Sequence, residues 1–265
     1  MERTSDGFTI VEVLMALAIS LLIFLSAVVA LGGKTGSEGF SQAMQDVNSK
    51  IQNYVSQVKG GAAPGFDSYT CAVDPTTSRA VLTYAPGTTT FSEDCIFLGK
   101  AIQVVPSRPQ IYTRVILGNR TIWQSGTNTG VPVSDFTDAN PEPARTSAQA
   151  ELLMETYQLL NGATVKSSTI PSDNQERDLA GIYNNLSNSG TSNGSNSLLL
   201  MSYPFVISAI SVAPCIEQTG VCSSGVVATN QWNLCIQSGS DNSTALLVVN
   251  SVPSGITTQI KYVSC

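Results

Sequence analysis

The chain has no histidine, and none of its cysteines fall in a C-x-x-C pair. Zinc sites of the ordinary kinds draw their ligands from those residues, so a zinc centre has little to be built from, and no metal is expected. Without histidine the commonest general base and the Ser-His-Asp relay are excluded as well. Charge is scarce: Asp, Glu, Lys and Arg make up 12% of the 265 residues. Thirteen Lys and Arg are scattered against nineteen Asp and Glu, for a net charge of −6. That balance leaves no basic footprint, so nucleic-acid binding is not supported. Neither a P-loop nor a dinucleotide-binding glycine fingerprint occurs, and no cofactor is expected.

What the chain does have is one long apolar run near its start. Residues 8–31 are interrupted only by Thr9, Glu12, Ser20 and Ser26. As a helix they would reach roughly 36 Å at 1.5 Å per residue, enough to span a bilayer core with some tilt. Glu12 is the one charge inside the run. On an insertion scale a carboxylate there costs about 3 kcal/mol, so it calls for a role. A secretory signal peptide explains the run poorly. The seven residues before it carry Arg3 against Glu2 and Asp6, the run is long, and no A-x-A site follows Leu31.

The stretch GFTIVEVLMALAIS, residues 7–20, resembles the start of type IV pilins, a family that includes the pseudopilins of type II secretion and the competence pilins. The likeness extends to about Lys59. It implies cleavage of a short leader, residues 1–7, by a prepilin peptidase between Gly7 and Phe8, followed by methylation of the new amine on Phe8. By the same resemblance Glu12 matches the glutamate that pairs with the amine of a neighbouring subunit during filament assembly. The implied partners are the peptidase, other pilin subunits, the assembly platform and the membrane. The implied fold is α+β: a long N-terminal helix, half in the membrane and half amphipathic, packed on an antiparallel β-sheet domain.

Beyond the run, Gly32, Gly33 and Gly36 make a stretch of poor helix propensity, where a fray or bend is expected. The helix is expected to resume at Ser37 or Glu38 and continue to residue 60. Phe40, Met44, Val47, Ile51, Tyr54 and Val58 form one apolar stripe at spacings of three and four, the core-facing side of an amphipathic helix. Gly60 and Gly61 end it.

Residues 61–265 read as an extracytoplasmic, β-rich domain. Strands are expected at 80–84, 95–105, 111–117, 121–123, 198–203, 205–212, 232–237, 245–250 and 256–264, from Val, Ile and Tyr content bounded by turn formers. Gly118-Asn119 suggests a hairpin turn. Residues 124–197 read as an insertion. Within it, capping-box spacings at Thr146–Gln149 and Ser172–Gln175 predict two short helices, over about 150–160 and 172–186. An Asn-, Ser- and Gly-rich tract follows.

Cys71, Cys95, Cys215, Cys222, Cys235 and Cys265 all lie beyond the apolar run, an even number that fits disulfides in an oxidising compartment. Six thiols allow fifteen pairings. Nearness in the chain favours Cys71 with Cys95, Cys215 with Cys222, and Cys235 with Cys265.

Three further features are weaker. Gly190-Thr191-Ser192-Asn193-Gly194 spells G-x-S-x-G, but it lies in the low-complexity tract of a chain with no histidine, so the nucleophile elbow is rejected. Asp135, Asp138 and Glu142 lack the spacing of a calcium loop and read as a solvated acidic loop. Trp123, Trp232 and Tyr203 read as packing residues. The chain is therefore read as a filament subunit rather than an enzyme. A tip adhesin using residues 124–197 as its contact surface is the alternative, and a membrane-anchored hydrolase is the least favoured.

Overall fold

A computed structural model describes residues 9–61, 69–74, 79–85, 95–123, 130–133, 135–136, 138–146, 149–152, 154–171, 177, 179–184, 186, 198–203 and 227–265. The leader, Gly7 and Phe8, Cys215 and Cys222, the expected strand at 205–212 and the G-x-S-x-G tract lie outside the described residues.

Helix α1 runs unbroken from Ile10 to Lys59. Thr9 caps its start and Gly60 follows its last turn, where the Gly60 N–H reaches the Ser56 carbonyl at 2.9 Å. The break expected at Gly32–Gly36 does not occur. Glycine costs only about 1 kcal/mol per residue in a helix interior, too little to interrupt a helix with long favourable segments on both sides.

The strands are, in chain order, β1 (Tyr69–Asp74), β2 (Arg79–Tyr84), β3 (Cys95–Val104), β4 (Gln110–Asn119), β5 (Thr121–Trp123) and β6 (Gly130–Pro132). Next come β7 (Glu142–Pro143), β8 (Arg145–Thr146), β9 (Gln149–Leu152) and β10 (Met154–Gln158), then a 3₁₀ turn, η1 (Leu160–Gly162), and β11 (Thr164–Thr169). The remainder are β12 (Leu179–Asn184), β13 (Leu198–Tyr203), β14 (Val227–Ala228), β15 (Gln231–Gln237), β16 (Thr244–Val252) and β17 (Gly255–Lys261). Apart from one parallel contact, Leu82 with Thr146, the pairings are antiparallel, so the coarse class is α+β.

The largest sheet follows the order β10-β4-β3-β12-β13-β14, with β7 also on β4. A second has the order β11-β15-β16-β17. The buried stripe of α1 (Phe40, Met44, Val47, Ile51, Tyr54 and Val58) joins residues from both sheets, among them Ile102, Ile182, Trp232 and Leu247, in one core. On its other face the large sheet carries a smaller core of Leu98, Ile116, Leu179, Tyr183 and Tyr203 capped by Val133 and Phe136. Burial on both faces explains why β12 reads as a nearly continuous apolar run.

Four expectations are corrected here. Where the helix over 150–160 was expected the described residues form β9, β10 and the start of η1, and of the helix expected over 172–186 the part at Leu179–Asn184 is strand β12. In β10 only Tyr157 is partly buried, its hydroxyl on Asp46 of α1; the other four residues are exposed, Glu155 pairing with Lys100 of β3, and backbone pairing to β4 fixes the strand. The described residues of 124–197 thus contribute two strands, β10 and β12, to the large sheet in place of the two expected helices. Nor is there a hairpin turn at Gly118-Asn119. Both residues continue β4, opposite Ile96 and Cys95, and β5 pairs with β6 instead. A Cβ on Gly118 would stand 2.6 Å from the Ala139 carbonyl oxygen, so glycine serves close packing there.

Candidate functional site

The residues with a candidate role lie on α1 and on what grips it. Its first part, Ile10–Val28, is a nineteen-residue apolar stretch long enough to cross a membrane, and none of it is buried by the rest of the chain. Within that stretch the polar side chains are satisfied locally. Ser20 donates to the Ala16 carbonyl and Ser26 to the Ile23 carbonyl, each at 2.7 Å. A hydroxyl that bonds its own helix backbone needs no water, as an apolar surrounding demands.

Glu12 sits in the first turn. Its backbone N–H donates to the Thr9 hydroxyl at 3.3 Å, and its carboxylate lies 3.5 Å from the Thr9 backbone nitrogen, a reciprocal capping box. The carboxylate is thereby folded over the positive end of the helix, where an anion is favoured. The sequence placed Glu12 near the helix start; the role of Thr9 in holding it went unread, although T-x-x-E spells the box.

The second part of α1 is fixed to the domain by a polar seat beside the apolar stripe. Asp46, Lys50 and Tyr54 recur every fourth residue, so they share one side of the helix. Tyr157 of β10 donates its hydroxyl to Asp46, and the Lys50 ammonium stands 5.5 Å from the centre of the Tyr157 ring. Lys100 of β3 lies over the Tyr54 ring at 4.5 Å and pairs with Glu155 at 3.5 Å. Burial lowers the pKa of Lys100, and the neighbouring Glu155 partly offsets the effect. Burial likewise raises that of Tyr54, and burial and then Asp46 raise that of Tyr157. The sequence signal for this seat was available in two places: the i, i+4 spacing on α1, and a lysine inside the otherwise apolar CIFLGKAIQV.

Two disulfides brace the domain. Cys71 joins Cys95, linking β1 to the start of β3, and Cys235 joins Cys265, linking β15 to the segment after β17; each pair has its Cα atoms 6.0 Å apart. These are two of the pairs that chain proximity favoured.

The remaining sequence candidates do not converge. Asp135 accepts the Asp138 backbone N–H at 2.8 Å in a local turn, and Glu142 is buried in β7. Among the described residues no group of three or more His, Cys, Asp or Glu is placed to hold a metal ion. Trp232 is fully buried and donates to the Ser168 hydroxyl at 2.6 Å, while the Tyr203 hydroxyl meets that of Tyr183 at 2.7 Å. Compared with family models, curated proteins and solved structures, the chain matches none.

Proposed function

We propose that this chain is a subunit of a type IV pilus-like filament, in the manner of a minor pilin or pseudopilin. It would reside in the membrane through α1, with its β-rich domain outside the cytoplasm, before entering the filament at the cell surface. The observation that carries the proposal is the division of one continuous helix. Its first nineteen residues, apolar but for Glu12, Ser20 and Ser26, are left unburied among the described residues, whereas its later stripe is buried beneath two sheets. An apolar rod of that kind needs a second apolar environment, first lipid and then the packed helices of neighbouring subunits. The Gly7-Phe8 junction before the helix and the carboxylate of Glu12 at its start support the same reading.

The experiment is mass spectrometry of the native protein with a Glu12→Val variant beside it. The mature chain is expected to begin at Phe8 with a methylated amine. Glu12→Val should still insert in the membrane but enter filaments poorly, since an amine brought beside residue 12 would have no counter-charge. An intact Met1, a cut beyond Leu31, or normal incorporation of Glu12→Val would each count against the proposal.

A further inference from the structure

The base of the domain, where α1 leaves it, has an apolar character that the filament reading does not use. Among the described residues beyond α1, five large apolar side chains are exposed: Val131, Met154, Leu160, Tyr262 and Val263. Three of the five cluster at this one end. Leu160 opens η1, whose next residue, Asn161, donates to the Gly39 carbonyl of α1 at 2.7 Å. The Tyr262 hydroxyl lies 3.0 Å from that of Ser41, one half-turn further along the helix. Val263 follows, its carbonyl held by the Thr244 hydroxyl at 2.9 Å. Beside Tyr262 and Val263 runs an open groove of about 640 Å³, bordered also by Ser37, Phe40 and the Asp241–Thr244 turn.

Distance along α1 says what this end faces. The apolar run closes at Leu31, six residues before Ser37. Ser37 borders the groove, while Asn161 and Tyr262 are seated by Gly39 and Ser41, eight and ten residues past Leu31. Six to ten helical residues rise about 9–15 Å, and the headgroup zone outside a bilayer core is roughly 5–8 Å thick. With Leu31 at the edge of the hydrocarbon the base stands just outside the headgroups, and an ordinary helix tilt of roughly 20° would bring this side of the domain onto them. Tyrosine, with an apolar ring and a polar tip, is the side chain favoured at that depth. The charges suit it too. Lys261 is exposed beside Tyr262, and Lys166 reaches the Cys265 carbonyl at 2.6 Å, so two cations stand near the phosphate layer. Of the nearby carboxylates, Asp241 is turned back onto the Ser243 hydroxyl at 2.7 Å, and Glu38 is exposed on the neck of α1 between Ser37 and Gly39.

We propose that the base of the domain, Leu160, Tyr262 and Val263 around the neck of α1, docks on the phospholipid headgroup layer while the subunit waits in the membrane. Docking would hold the domain at a set tilt on the bilayer. It rests on the membrane reading of α1 but is separable from it. The test places a photoreactive p-benzoylphenylalanine in the full chain at Phe24, Leu160, Tyr262 or Ser254, in vesicles of phosphatidylethanolamine with phosphatidylglycerol. Ser254 lies in the turn at the far end of β17 from Tyr262, about 25 Å away along the strand.

Probes at Leu160 and Tyr262 are expected to give phospholipid adducts on the order of tenfold above the Ser254 probe, as does the Phe24 probe inside the apolar span. Adducts at Phe24 without adducts at either base position would overturn the docking while leaving the membrane reading in place. Cross-links from the base to a second copy of the chain, with none to lipid, would also overturn it and make the base a subunit contact. Absence of lipid adducts at Phe24 itself would remove the membrane reading and the docking together.

Discussion

Lys100 holds its ammonium 4.5 Å from the centre of the Tyr54 ring, buried where β3 meets α1. A cation in that position is stabilised by the ring face and by Glu155 but is penalised by loss of water. Burial is the larger influence, so the folded pKa lies below the ordinary 10.5. Between the folded value and 10.5 the unfolded chain binds more protons, and stability from this group rises with pH. Its penalty is complete below the folded value and vanishes as pH approaches 10.5. The melting temperature of Lys100→Met relative to the parent should therefore be more favourable at pH 7 than at pH 10, in paired calorimetric scans. A difference that moves the other way would show that the charged lysine is the stabilised form.

The two parts of α1 should respond differently to truncation. Ile51 is fully buried and Leu22 is exposed. Ile51→Ala should lower unfolding free energy by about 2–4 kcal/mol, from lost burial and the cavity left behind. Leu22→Ala should change it by less than about 0.5 kcal/mol in detergent. Denaturant titration of both variants separates them, and equal effects would mean that the apolar part is also held by the domain.

Gly118→Ala tests the close contact that replaces the expected turn. The added methyl meets both Leu98 and the Ala139 carbonyl. Overpacking of this kind costs about 1–3 kcal/mol, and here backbone must shift as well as a side chain. A full loss of that size in the denaturation midpoint is expected; a neutral substitution would place a turn back at Gly118-Asn119.

Replacing Cys71 and Cys95 together by serine opens a loop spanning 24 residues. On the chain-entropy account this removes roughly 3 kcal/mol, with packing changes able to alter the figure. Thiol alkylation of the parent under non-reducing conditions should label neither residue. Labelling of either would show the bond to be open in the native protein.

Much of this fold was legible in the chain, for reasons that differ by element. The stripe from Phe40 to Val58 announced itself because a helix buries one side and repeats every 3.6 residues. Strands β3, β4, β13 and β15–β17 were legible from β-branched and aromatic content between turn formers, nearly to the residue at Leu198–Tyr203. Residues 150–186 were misread because Thr146–Gln149 and Ser172–Gln175 match a helix-start pattern. Local capping energy is about 1 kcal/mol, which pairing β10 to β4 and β12 to β3 and β13 easily exceeds. Met154, Glu155, Thr156 and Tyr157 read apolar, polar, polar, apolar, so no period of two marked the strand there. At the site, the stripe and the place of Glu12 at the helix start were legible, whereas the Lys100–Tyr54–Glu155 seat showed only separate parts, the i, i+4 spacing on α1 and a lysine in an apolar strand, and not their meeting. It assembles residues about fifty positions apart, and nothing local in the sequence brings them together.

The two disulfides acquire a different meaning if the chain is pulled. If the chain is the filament subunit proposed above, it would bear tension along α1, and a domain under tension lengthens by releasing unfolded chain. Cys71–Cys95 and Cys235–Cys265 short-circuit stretches of 24 and 30 residues. At about 3.4 Å for each extended residue, the pair withholds on the order of 180 Å of slack from any stretching event. A domain drawn out under load with both bonds closed would therefore stop about 180 Å short of the length that the same domain reaches once they are reduced.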